Sequence, residues 1–185
     1  MHLLLLGLVI FIGIHLLPSF SGLRRGLIGR FGEKTYKGIF AVIAVIGVII
    51  IIIGKSRAPF VVIWEPPYWG RDASYLIMLF AFILVTAAYL PTNIRRFTRH
   101  PMLWGVTLWS IAHLLSKGDL AAMSIFISIG IFALFDMVSS NIRGATLSTE
   151  KLSINKDLTV VLIGVATYFV VLTIHPAWSG FRMLR

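Results

Sequence analysis

Cysteine is absent from the 185 residues. That excludes disulfides, thiolate nucleophiles and thiolate metal ligands. Acid is scarce, with seven Asp and Glu against seventeen Lys and Arg. Six stretches lack basic residues altogether: 3–20, 38–54, 74–90, 102–115, 120–140 and 158–174. Asp136 is the one carboxylate inside them. There is no internal repeat, no low-complexity segment, no phosphate-binding Gly loop and no pair of carboxylates spaced for acid–base work.

What fills the six stretches is Leu, Ile, Val and Phe. Hydrophobic residues are 58% of the chain and charged ones 13%. A soluble protein of this size cannot hide so much apolar surface. Each stretch approaches the roughly 20 residues that carry a helix across a bilayer core of about 30 Å. The expected fold is all-α: a polytopic bundle of six transmembrane helices forming one domain over residues 1–185. The net charge of +10 does not point to nucleic acid, because it is spread over short connections. Loop charge of this kind sets topology and attracts lipid headgroups.

Residues 21–37, 91–101 and 141–157 hold eleven of the seventeen basic residues, and the other six lie on the opposite side. The richer set belongs in the cytoplasm, which puts both termini outside. The first stretch lacks a basic leader and a small-residue cleavage site, so it reads as a retained helix. Residues 58–72 carry Phe60, Trp64, Pro66, Pro67, Tyr68 and Trp69. They are expected to lie along the outer surface as an interfacial anchor rather than a substrate lid. Gly118-Asp119 reads as a hinge in which Asp119 caps the next helix, making the fourth and fifth helices antiparallel neighbours.

Of the five histidines, His15 and His113 interrupt apolar stretches. An ionisable residue at membrane depth faces the bundle interior and has a partner. Counting about 1.5 Å per residue from the stretch ends places the two imidazoles within roughly 5 Å of one depth. Two neutral imidazoles at one level suit an iron porphyrin or a transition metal. Trp109 and Ser110 share the face of His113; Trp109 could pack on a porphyrin, and Ser110 could bond a ligand or a propionate. The residues equally allow a simpler reading, in which His113 bonds a backbone carbonyl or a hydroxyl. His2 and His175 read as interfacial, and His100 as a structural or headgroup-facing residue at a helix start. Asp136 is expected to pair with an Arg of the 24–25 or 95–99 segments, tying the fifth helix to the first or the fourth.

Several segments together resemble the NnrU family of bacterial membrane proteins, which is related to the plant 15-cis-zeta-carotene isomerase. They are Phe11-Ile-Gly-Ile-His15-Leu-Leu-Pro18, Trp64-Glu-Pro-Pro-Tyr-Trp69, Pro91-Thr-Asn93, Arg99-His100-Pro101 and Trp109-Ser-Ile-Ala-His113-Leu-Leu-Ser-Lys-Gly118-Asp119. The resemblance covers nearly the whole chain. It implies a multi-pass protein of the bacterial inner membrane. From the isomerase branch it implies haem b, with His15 and His113 as metal ligands, and redox-dependent isomerisation of a polyene. That branch has a cysteine three residues before the second histidine, where this chain has Ser110; a thiolate ligand switch therefore has no donor here. The bacterial branch implies a link to denitrification, through nitrite and nitric oxide reductases. Two other readings stay open: a non-enzymatic scaffold or assembly factor for a respiratory reductase, and a small carrier of hydrophobic substrates.

Reporter fusions after Gly32 and after Ile154 should read cytoplasmic, and one after Trp69 periplasmic. A periplasmic signal at Gly32 overturns the orientation, since that connection carries the most positive charge.

Overall fold

A backbone in hydrocarbon must satisfy its own hydrogen bonds, so the apolar stretches have little choice but to form helices. The computed structural model describes residues 1–179. Over these it is helical: α1 His2–Leu16, α2 Ser21–Phe31, α3 Glu33–Ser56, α4 Gly70–Tyr89, α5 Pro101–Ser116, α6 Leu120–Ile142 and α7 Ile154–Ser179. Short 3-10 turns follow α1 and precede α5. Five helices are long and apolar enough to cross a membrane: α1 with its following turn, α3, α4, α6 and α7. The exception among the six expected spans is α5, whose 16 residues reach about 24 Å. Arg182 and Arg185, counted above on the side of the termini, lie outside the described residues.

The surface is inside-out relative to a soluble fold. Large apolar side chains such as Val9, Ile52 and Ile131 are more than half exposed, while Ala87, Ala112 and Ala133 are fully buried. Helices in lipid gain nothing by hiding Leu from Leu, so small residues mark where backbones approach closely. At Gly7 a Cβ would sit 2.7 Å from the Ile51 nitrogen, and at Gly164 2.8 Å from the Ile83 Cα. These two contacts fix α1 against α3 and α7 against α4. The remaining helix pairs are α4 on α5, α5 on α6, and lighter contacts of α1 on α6 and α2 on α3. The order in space is α3–α1–α6–α5–α4–α7. All helices except α2 alternate in direction.

Residues 21–37 are not a plain loop. They form α2, then turn at Gly32, whose φ of 79° suits glycine, into the start of α3. Leu23 and Phe31 on α2 are exposed beside Arg24, Arg25 and Arg30.

Polar groups tie the helix ends. At the end that carries Trp64, the Asp119 carboxylate accepts from the Ala122 amide at 3.3 Å and is ion-paired with Lys55, whose Nζ donates to Oδ2 at 2.6 Å. The expected hinge and cap are present, and α5 and α6 are antiparallel neighbours. Loop 58–69 is drawn onto the same hinge. The Ile63 amide donates to the Gly118 carbonyl, the Leu120 amide to Val61, and Trp64 Nε1 to the Lys117 carbonyl. Trp64 is thus a clasp, while Phe60 and Tyr68 project outward at 81% and 96% exposure.

At the opposite end, where Arg95 lies, Thr92 Oγ1 and the Asn93 amide donate to Asp157 Oδ1 at 2.6 and 2.7 Å. Asn93 also exchanges hydrogen bonds with the Leu152 backbone. Arg95 donates to the last carbonyls of α4. Arg99 and His100 both donate to Asn141 Oδ1 on α6, so His100 has the structural role expected of it.

Asp136 departs from expectation. It pairs at 3.2 Å with Arg143, beyond the end of its own helix, and not with the 24–25 or 95–99 segments. Arg143 belongs to the basic 141–157 segment, but it lies only two turns from Asp136, so the pair is local and does not tie two helices together.

Asp119→Ala should lower stability by about 2–3 kcal/mol, since it removes a cap and leaves Lys55 without its carboxylate. Asp136→Ala should cost under about 1 kcal/mol, because that pair is partly exposed and local. Thermal unfolding in one detergent checks both, and equal losses would refute the distinction.

Candidate functional site

Helix α5 is hung from the Trp64 end. Its C-terminus runs through the Lys117–Asp119 hinge straight into α6, so the two ends are level there. The shortfall lies at the Arg95 end, where residues 91–100 fold under it. His113 is therefore only three residues, about 5 Å, from the Trp64 end of its helix. His15 is at the far end of α1, one residue before Leu16.

That geometry corrects the expected common depth. His113 stacks on Phe126 of α6 with ring centroids 4.3 Å apart, whereas His15 meets Phe132 of α6 at 5.8 Å. Six residues of α6 separate the two levels, about 9 Å. His15 lies among Phe11, Phe40 and Phe132. The estimate from sequence failed because it set the start of α5 at the membrane boundary.

Both histidines make the same local bond. His15 Nδ1 donates to the Phe11 carbonyl at 2.7 Å, and His113 Nδ1 to the Trp109 carbonyl at 2.8 Å. A carbonyl can only accept, so Nδ1 carries a proton, and in the neutral imidazole Nε2 is then the nitrogen with the lone pair. The backbone bond thus does not compete with ligation; it orients the ring and fixes the tautomer a metal ligand needs.

Helices α5 and α7 both lie on α4, and the groove between them holds a partly open cavity of about 160 Å³. Trp109 and His113 of α5 line one side, and Tyr168, Leu172 and His175 of α7 the other. The His113 and His175 ring centroids are 6.2 Å apart. Arg71, Ser74 and Lys117 line the cavity at the Trp64 end, and Met78 and Phe82 line its α4 side.

Of the residues singled out from sequence, Trp109 and His113 share this cavity; His15 and Ser110 are not among its lining. Ser110 is buried at 2% exposure against Gly130 of α6, where its hydroxyl has no hydrogen-bond partner among the described residues. His175, Arg71 and Lys117 were missed as site residues. The one signal for His175 was its position at an apolar stretch end, which fits an interfacial histidine equally well. Among the described residues no three His, Asp or Glu side chains cluster, so a hard cation has no cage here. Burial pushes the Lys117 ammonium below its ordinary range, Lys55 adds to this, and Asp119 opposes it.

Compared with known proteins, residues 3–183 match a family model described as NnrU protein. No curated protein and no solved structure matches the chain.

Ser110→Ala should leave stability unchanged or slightly raised, since it deletes a buried hydroxyl that bonds nothing. It should also leave any cofactor spectrum unmoved. A lost or shifted spectrum in this variant would show that the hydroxyl faces the ligand after all.

Proposed function

Because the chain belongs to the NnrU family, we propose that it is a bacterial inner-membrane protein of six spans, with both termini outside, that binds haem b at the α4–α5–α7 cavity. The Trp64 end then faces outward and the arginine-rich end the cytoplasm, as loop charge favours. The short α5 completes its crossing with the residues folded beneath it.

The observation that carries the reading is the His113–His175 pair. His113 and His175 would hold the iron through their Nε2 nitrogens, one from α5 and one from α7, and their ring centres stand 6.2 Å apart. The donor set is neutral nitrogen with apolar and aromatic walls, which suits a porphyrin. A macrocycle exceeds the enclosed 160 Å³, and the open side of the groove gives it room.

When bound, haem supplies one-electron redox chemistry. The chain's own contribution is positional. The Trp109 carbonyl holds His113 in one tautomer. Trp109 stands edge-on to Phe126, with centroids 4.8 Å apart, and steadies the wall behind His113. Tyr168 and Phe82, with centroids 6.1 Å apart, give the opposite side an aromatic surface on which a polyene could lie. The role we propose is redox or isomerase-like, or supports the nitrite and nitric oxide reductases of denitrification.

Protein purified in detergent should show a Soret band of roughly stoichiometric intensity. His113→Ala and His175→Ala should each remove or strongly shift it, while His2→Ala and His15→Ala should leave it in place. Loss with His15→Ala but not with His175→Ala would restore the ligand pair implied by the resemblance. A colourless preparation would favour the scaffold or assembly-factor reading.

A further inference from the structure

We infer that the cleft between α5 and α6 at the arginine-rich end binds an anionic phospholipid, with Arg99 holding the phosphate. The cleft follows from helix length. Helix α6 has 23 residues and α5 has 16, so α6 runs about 10 Å beyond the start of its neighbour. Residues 97–100 line the recess this leaves, together with Asn141 of α6.

Positive charge there is uncompensated. Thr98, Arg99 and His100 line both this cleft and an adjoining one that Arg95 also lines, and neither lining includes an Asp or Glu. Both arginines have partners, but neutral ones. Arg95 donates to the Ala87 and Ala88 carbonyls, and Arg99 to Asn141 Oδ1 at 3.1 Å. Neither forms an ion pair among the described residues, and Asp136 of α6 is engaged by Arg143. The Asn141 bond uses one nitrogen of a guanidinium that has five N–H donors. It orients Arg99 and leaves donors for a phosphate, which arginine binds as a fork.

Polarity falls off along the cleft. Trp104 lies one turn along α5 from His100, and Val138 and Leu134 lie one and two turns back along α6 from Asn141. All three are exposed. Helix α6 is long and apolar enough to cross a membrane, so this wall meets acyl chains while Arg99 stands at headgroup level. A soluble anion would satisfy the arginine and leave the wall bare, whereas a phospholipid covers both. Basic pockets between membrane helices hold anionic headgroups in this way. The cleft is at the opposite end of the bundle from the His113–His175 cavity, and the inference stands whether or not that cavity holds haem.

The test uses the full chain in phosphatidylcholine vesicles, with rising fractions of dibrominated lipid in both leaflets. Bromine quenches nearby tryptophan, and the readout is the part of the quenching lost in Trp104→Phe. Two probes are compared, dibrominated phosphatidylglycerol and dibrominated phosphatidylcholine. We expect the anionic lipid to bind roughly fivefold tighter, the preference that one basic residue near the membrane surface supplies. Arg99→Gln should bring the ratio close to one, and Arg99→Lys should keep most of it. Gln can still donate to Asn141, so that variant keeps the fold. Arg25→Gln, which removes a charge of the same end outside the cleft, should leave the ratio unchanged.

Equal binding of the two lipids overturns the inference, as does a preference that survives Arg99→Gln. Quenching by neither lipid also overturns it, since protein then covers the cleft. An equal loss of preference in Arg25→Gln and Arg99→Gln reduces the effect to general surface charge and removes the site.

Discussion

The bundle depends on one carboxylate. Asp119 sits at the point where α5 turns into α6, capping the second helix and holding Lys55 at the end of α3. Without that ion pair, α1 and α3 would reach the other helices chiefly through the light contact of α1 with α6. The loop carrying Trp64 hydrogen-bonds to Lys117, Gly118 and Leu120 around that same turn. Helices in lipid lack a hydrophobic force between them. The end of the bundle is therefore the natural place for polar chemistry to fix their arrangement. Because Asp119 sets the level of α5 against α6, it also sets the height of His113, and so which histidine His113 meets.

A second consequence concerns length. Helix α5 is too short to match α6, and the mismatch must be absorbed at one end. The Gly118 hinge forces it to the Arg95 end, where Thr92, Asn93 and Arg95 knit the connection to α4 and α7. The Pro91-Thr-Asn93 and Arg99-His100 segments, prominent in the sequence, are accounted for by this knitting. They anchor helix ends, and Asn141 and Asp157 are their partners.

Much of the helical layout could be read in the chain. Apolar length gives the helices, and the Gly-Asp hinge gives the α5–α6 pairing, because both signals are local and follow from backbone chemistry. What depends on distant pairing was not legible. Nothing around Lys55 marks Asp119, 64 residues away, as its partner. Nothing around His175 marks α4 as the helix on which α7 lies. Asp136 misled for the opposite reason: a buried-looking carboxylate suggested a remote partner when Arg143 was two turns away. His113 was recognised and Trp109 with it, but His175, Arg71 and Lys117 become site residues only when three helices meet.

Among the described residues, helix α7 is tied at its Asp157 end and laid along one principal neighbour, α4. Asp157 fixes it to Thr92 and Asn93, Gly164 lets it touch α4, and His175 stands 18 residues beyond the mooring. Those 18 residues form a lever of about 27 Å. A tilt of roughly 5° about the mooring swings His175 by about 2 Å, a third of its separation from His113. The contacts at the arginine-rich end thus bear on a gap at the other end of the bundle, and a change at Asp157 also alters the spacing of the two histidines.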